Sequence, residues 1–259
     1  MSETVEGGVG VNRPRFLEEL WGVLFSPFQT LESLYSRRAS FLWVILFMGA
    51  LIAAVNLYIF TRPNILYLKA VDLIKFDRYA DPDSTLSLVE ATSKAKGRLF
   101  LGFITSPLAI GAEVFISAVL AASFGRLLGG KVDIWGTVRL LGFARLIPSL
   151  GFLVGISFLL YRGLGLIGDL KDLELGIGLN LFSTYSQIKI SETSYLFLRR
   201  FDLFAIWYLV IAARGTAIAN RVPLLRAFII VGLLYYLSVW GEFLWDRYGW
   251  LVLKVLFFG

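Results

Sequence analysis

Residues 129–161 read GGKVDIWGTVRLLGFARLIPSLGFLVGISFLLY, and the fold class turns on this stretch. It opens on a polar turn, Gly129-Gly130-Lys131-Val132-Asp133. From Trp135 to Tyr161 it is an apolar run longer than the roughly 20 residues that cross a bilayer. Arg139, Arg145 and Pro148 lie inside that run. Lipid admits such charges only where they are paired or can reach the headgroups. The stretch therefore reads as a membrane-spanning helix with a polar task as well as an apolar one.

The rest of the composition agrees. Of 259 residues, 57% are hydrophobic and 17% charged, and the mean hydropathy is +0.73. Soluble domains carry about a quarter charged residues. The apolar runs are continuous rather than alternating, which disfavours a β-barrel. Cysteine and histidine are both absent, which removes disulfides, thiolate and imidazole metal sites and the Ser-His-Asp triad. No cofactor motif is visible. The pI near 9.5 suits a surface lying against anionic lipid. The basic residues are dispersed, so nucleic-acid binding is not read from them.

Five spans are expected, at 41–60, 99–128, 135–161, 195–219 and 222–245. The fold class is all-α: a polytopic membrane protein with a five-helix transmembrane bundle. Residues 1–15 read as a flexible tail, with no short apolar run ahead of a cleavage site. In Ser26-Pro27-Phe28-Gln29-Thr30-Leu31-Glu32-Ser33-Leu34-Tyr35, Ser26 can cap a helix that Pro27 opens. Phe28, Leu31, Leu34 and Tyr35 share one face, and Arg37 and Arg38 close the segment. This predicts an N-terminal amphipathic helix that either lies in the headgroups or docks on the protein's own loops.

Thr61 to Arg98 is a polar excursion. Ile65, Leu68, Val71 and Ile74 predict one short helix, and Asp81-Pro82-Asp83-Ser84 breaks it and can start another. In the second excursion, Arg162 to Arg200, leucine and isoleucine alternate with polar residues and glycines from Asp172 to Leu181, which predicts an extended segment. Trp240, Trp245, Tyr248 and Trp250 suit a membrane interface. Trp250 to Phe258 is too short to cross, so it is expected to fold back or lie in the interface. Arg13, Arg15, Arg37 and Arg38 favour a cytoplasmic N-terminus, although the first excursion carries enough Lys and Arg to argue the reverse.

Glu113 falls mid-way along the second span. Arg145 lies about ten residues into the third, roughly 15 Å deep. A tight loop between antiparallel neighbours can bring the two together. The candidate polar site is Glu113 and Arg145, with Arg139 on the same helix. It can bind an ion, a proton or a lipid headgroup. The pair can equally be a structural tie that sets helix register, or Arg145 can snorkel to the interface. Arg199, Arg200 and Asp202 form a candidate interfacial charge cluster. Gly151-Phe-Leu-Val-Gly155 allows close helix packing. Gly163-Leu-Gly165-Leu-Ile-Gly168 matches a dinucleotide fingerprint in letters only, because no βαβ unit surrounds it.

Four ordered patches resemble the bacterial branch of the Yip domain family (Ypt-interacting proteins). They are Phe25-Ser26-Pro27-Phe28 with Leu31; Leu127 to Lys131 followed by Gly142-Phe143-Ala144 and Pro148; Phe201 to Trp207; and Arg214-Gly215-Thr216-Ala217. Phe143 stands where the family pattern has tyrosine. The resemblance implies one Yip-like integral membrane domain over 16–259, five spans and a cytoplasmic N-terminus in a bacterial inner membrane. Eukaryotic relatives bind small GTPases in vesicle traffic, some bacterial relatives accompany ABC-type efflux assemblies, and no catalytic motif is available to transfer.

The function read from all this is a non-enzymatic membrane protein that organises membrane or partner proteins, as an accessory subunit of a transport assembly. Its partners would be the lipid bilayer and transporter subunits or other membrane proteins, with a homo-oligomer also open. The alternative is a transporter or channel for lipid or a small solute that uses Glu113 and Arg145.

Overall fold

The computed structural model describes residues 15–37, 40–80, 85–163, 194, 198 and 200–258, and every regular element among them is an α-helix. The order is α1 Arg15–Phe25, α2 Pro27–Ser36, α3 Leu42–Phe60, α4 Pro63–Ala80, α5 Leu88–Leu127, α6 Ile134–Ala144, α7 Leu146–Arg162, α8 Leu203–Asn220 and α9 Leu224–Phe258. Four stretches are long and apolar enough to cross a membrane: Pro107–Leu127, Ile134–Phe158, Leu203–Asn220 and Leu224–Gly241. The apolar part described in α3 is shorter, Leu42–Val55. The expected tail, all but its last residue, and the extended segment from Asp172 to Leu181 lie outside the described residues.

Several boundaries differ from the sequence reading, each for a local reason. The second expected helix of the first excursion is not separate. It runs straight into the second span as one helix, α5. Its start is Ser87, whose hydroxyl accepts from Glu90 N–H while the Glu90 carboxylate accepts from Ser87 N–H. This reciprocal capping box satisfies two orphan donors at once.

The third span is broken in two at Arg145. Pro148 has no N–H to offer the carbonyl of Ala144 four residues earlier, which is a sufficient cause. The fourth starts at Leu203 because Asp202 caps it, its carboxylate accepting from Ala205 N–H at 2.6 Å. The last apolar stretch does not fold back: α9 is continuous through Gly249 to Phe258. Ser26 does not cap α2 with its side chain, although Pro27 does open the helix.

The core gathers around α6 and α8. Phe143, Leu140, Ile147 and Ile211 are fully buried there. Gly151 lies against Phe204, so the first glycine of the GxxxG pattern serves packing inside this chain. The amphipathic pair α1–α2 docks on this core. Val23, Leu24, Leu31 and Leu34 are buried in it, each contributing about 2 kcal/mol relative to exposure to water.

The helices are not level. At the turn after α5, α6 starts opposite the C-terminal end of α5. The start of α3 lies lower. Phe41, just ahead of α3, packs on Gly142, eight residues after Ile134 and so about 12 Å along that helix. Ile45 meets Gly111, and Gly49 abuts Pro107. Thus α3 pairs with the middle of α5, and α1–α2 fill the space beside α6 that α3 leaves open.

Candidate functional site

The structure brings Glu113 of α5 and Arg145 at the α6–α7 break into an ion pair. Their side chains are 42% and 25% exposed, so the pair is not sealed in the core. The Arg145 guanidinium also lies 5.9 Å from the centre of the Tyr208 ring in α8, a cation–π arrangement. The Arg145 carbonyl accepts from the Ser149 hydroxyl at 3.1 Å. Three helices therefore meet at one charge, at the point where Pro148 has already interrupted the backbone.

Arg139 is not part of that group. Its guanidinium reaches the carbonyl of Tyr35 in α2, at 3.5 Å. There it joins a second polar cluster, at the end of the bundle where α1–α2 dock. The Tyr35 hydroxyl donates to the Asp133 carboxylate at 2.8 Å. The other carboxylate oxygen of Asp133 caps α6 by accepting from Gly136 N–H at 2.8 Å. The hydrogen bond to Asp133 pushes the Tyr35 phenol above its ordinary pKa, because ionising it would place two anions together.

Asn220, at the end of α8, is fully buried in this cluster. Its amide donates to the Thr137 hydroxyl at 2.9 Å and to the Thr216 carbonyl at 3.2 Å, and its oxygen accepts from Asp133 N–H at 3.3 Å. Its own carbonyl accepts from Lys131 N–H at 2.7 Å. Nothing in the sequence reading singled out Asn220. The available signal was a polar side chain four residues after Thr216, on a helix with few others.

The Gly-Gly turn explains itself against this cluster. Gly129 has φ +84° and Gly130 N–H reaches back to the Gly125 carbonyl at 2.9 Å, while Gly129 N–H bonds the Arg126 carbonyl. That is a Schellman ending of α5. A Cβ on Gly130 would come within 2.6 Å of the Asn220 carbonyl oxygen, so only glycine lets the turn lie on α8.

A third tie joins α2 to α8: the Arg214 guanidinium pairs with Glu32 and sits 5.9 Å from the Phe28 ring centre. At the other end of α8, Asp202 acts as the helix cap, and the Arg200 carbonyl accepts from the Tyr235 hydroxyl of α9. Arg199 lies outside the described residues. Among the described residues no group of three or more acidic residues is placed to hold a metal ion.

An open recess of about 430 Å³ lies between α4 and the start of α5, lined by Asp77, Thr85, Leu86, Glu90, Ser93 and Lys94. It is remote in sequence and structure from the Glu113–Arg145 pair.

A family model described as the Yip1 domain matches residues 21–241, from Trp21 in α1 to Gly241 in α9. No curated protein and no solved structure matches the chain.

Proposed function

Since the chain belongs to the Yip1 domain family, we propose that it is a non-enzymatic integral membrane protein that organises partner proteins in the bilayer, as an accessory subunit of a transport assembly. The observation that carries this reading is how the bundle uses its polar side chains. Glu113 and Arg145 tie α5 to the third span, Asn220 ties α8 to α6, and Glu32 and Arg214 tie α2 to α8. Each group holds helices in register, while large apolar side chains such as Leu108, Leu225, Ile229 and Leu233 face outward. Polar ties between helices and apolar faces outside suit a scaffold.

In this reading α3 is the first of five crossings, in a bacterial inner membrane with the N-terminus cytoplasmic. Arg37, Arg126, Lys131, Arg221 and Arg226 are all exposed at the α1–α2 end, which favours that orientation. The partners are subunits of a membrane transporter, with a second copy of the chain as an added contact.

A second reading is supported by the partial exposure of the Glu113–Arg145 pair. A guanidinium open to its surroundings can exchange the Glu113 carboxylate for another anion, such as a lipid phosphate. Flux measurements on proteoliposomes separate the two readings. The scaffold predicts that lipid scrambling and ion flux stay at the protein-free rate, and that photo-crosslinkers at Ile229 and Leu233 in native membranes give one discrete adduct. Flux above that rate, abolished in Glu113→Ala, would replace the scaffold with a transporter.

A further inference from the structure

The α1–α2 hairpin has three faces with different chemistry. One is buried on the bundle through Val23, Leu24, Leu31 and Leu34. A second carries Glu18, Gln29, Ser33 and Arg37, which line an open polar recess of about 270 Å³. The third presents Trp21, Phe25 and Phe28, with 57%, 72% and 47% of their surfaces exposed. Trp21 and Phe25 stack at 5.2 Å between ring centres, and Phe28 follows them at the start of α2, beside Arg214. A helix docked only on its own protein needs no such face. Three large aromatics are left for something else to cover.

We infer that α1–α2 is embedded in one leaflet of the bilayer, with Trp21, Phe25 and Phe28 among the acyl chains just beneath the headgroups and the polar face toward water. Two observations besides exposure fix lipid as the occupant. At the same end of the bundle other large apolar side chains are exposed, Leu127 on α5, Trp135 on α6, and Leu224 and Leu225 on α9. Exposed basic residues gather at that end, Arg37, Arg126, Lys131, Arg221 and Arg226, while Asp133 is engaged by Tyr35 and Gly136, Glu32 by Arg214, and Glu18 lies on the hairpin's own polar face with Arg37. Aromatics below and cations above are the arrangement that acyl chains and anionic phosphates together satisfy.

The geometry gives the hairpin a fixed place in that leaflet. It occupies the space beside α6 above the lower start of α3, so it displaces lipid from one leaflet only. It is pinned there by Tyr35–Asp133 and Glu32–Arg214 rather than by membrane affinity alone. This distinguishes it from a free amphipathic helix, which exchanges on and off a bilayer.

The chain has no cysteine, so single-cysteine spin labels report unambiguously. Phe25→Cys leaves the docked face intact, and Phe28→Cys removes only the ring beside Arg214, whose pairing with Glu32 remains. Leu225→Cys and Lys131→Cys serve as lipid and water references. The full chain is reconstituted in nanodiscs of phosphatidylcholine with phosphatidylglycerol. Labels at positions 25 and 28 are expected to be relaxed by oxygen, as at 225, and shielded from a water-soluble nickel chelate. Relaxation by the chelate, as at 131, would overturn the inference. Protection from both reagents would also overturn it, by showing the face covered by protein. A circular-dichroism spectrum matching the unsubstituted chain establishes that each variant is folded, and Trp21 emission in the presence of brominated acyl chains, in a chain whose other tryptophans are phenylalanine, reads the same face independently.

Discussion

Breaking the Glu113–Arg145 pair from either side should have unequal consequences. In Glu113→Gln the guanidinium keeps its charge, because arginine does not deprotonate in proteins. It retains the Tyr208 ring at 5.9 Å and the partial exposure of its side chain, 25%, but loses the opposite charge of the carboxylate. An isolated charge at the bilayer centre costs about 2.5–3.5 kcal/mol on insertion scales, and this is the upper bound on the loss. In Arg145→Met the stranded group is a carboxyl, which can take up a proton and become neutral. The loss is then closer to that of one buried hydrogen bond, about 1–2 kcal/mol. The double variant leaves neither charge, so the two costs do not add, and a coupling of about 2 kcal/mol is expected. Unfolding of the purified protein in mixed micelles of mild detergent and dodecyl sulfate, followed by circular dichroism, measures all four corners of the cycle. Additivity within about 0.5 kcal/mol would show that the two side chains do not interact in the folded protein. A larger cost for Arg145→Met than for Glu113→Gln would refute the argument from proton uptake even if the pair exists.

Three further outcomes are expected. Asn220→Leu strands the Asp133 amide and removes the ties from α8 to Thr137 and the loop, so it should destabilise the protein by about 2–3 kcal/mol on the same assay. Gly130→Ala should cost about 1–3 kcal/mol by pushing the turn off the Asn220 carbonyl. Gly129→Ala, which meets open space and only a left-handed backbone, should cost about 1 kcal/mol, so equal effects would contradict the close approach. Ser87→Ala should speed hydrogen exchange in the first turn of α5. Its partner Glu90 is held below the usual carboxylate range, chiefly by the hydrogen bond from Ser87 N–H and then by the Ser87 hydroxyl. A depressed folded-state value means that the cap is intact above the ordinary value of 4.5 and is lost as pH falls through the lower folded one. Protection there, taken relative to the intrinsic exchange rate at each pH, should therefore fall in acid in the unsubstituted chain and much less in Glu90→Gln.

The apolar runs were readable because lipid imposes one rule on every crossing helix, and Pro107–Leu127, Ile134–Phe158 and Leu224–Gly241 follow it. Helix ends set by single polar side chains were harder. Ser87 and Asp202 start α5 and α8, but serine and aspartate are common enough that their capping role emerges only once the backbone is in place. Glu113 and Arg145 could be grouped from depth and a tight loop. Arg139 does not join them: six positions on a helix turn through about 600°, which puts its side chain on another face, toward the Tyr35 carbonyl. The level of α3 and the docking of α2 rest on contacts between distant parts of the chain, Phe41 with Gly142 and Glu32 with Arg214, and no local pattern encodes them. Asn220 belongs to the same class, since a polar residue at a helix end ordinarily faces water.

The tie between Glu32 and Arg214 joins residues 182 apart in the chain. On a ribosome adding roughly 5–20 residues per second, α2 waits on the order of ten seconds or more before its partner on α8 exists. Tyr35 waits a shorter time for Asp133, 98 residues on. During that interval the hairpin has its aromatic face but no dock, so the membrane surface is the place that can shelter it. Its final seating requires α6 and α8 to have been inserted in the correct order and direction. The hairpin is made before the helices it docks on and is among the last to be locked, which makes its attachment a report on whether the rest of the chain has been threaded into the membrane correctly.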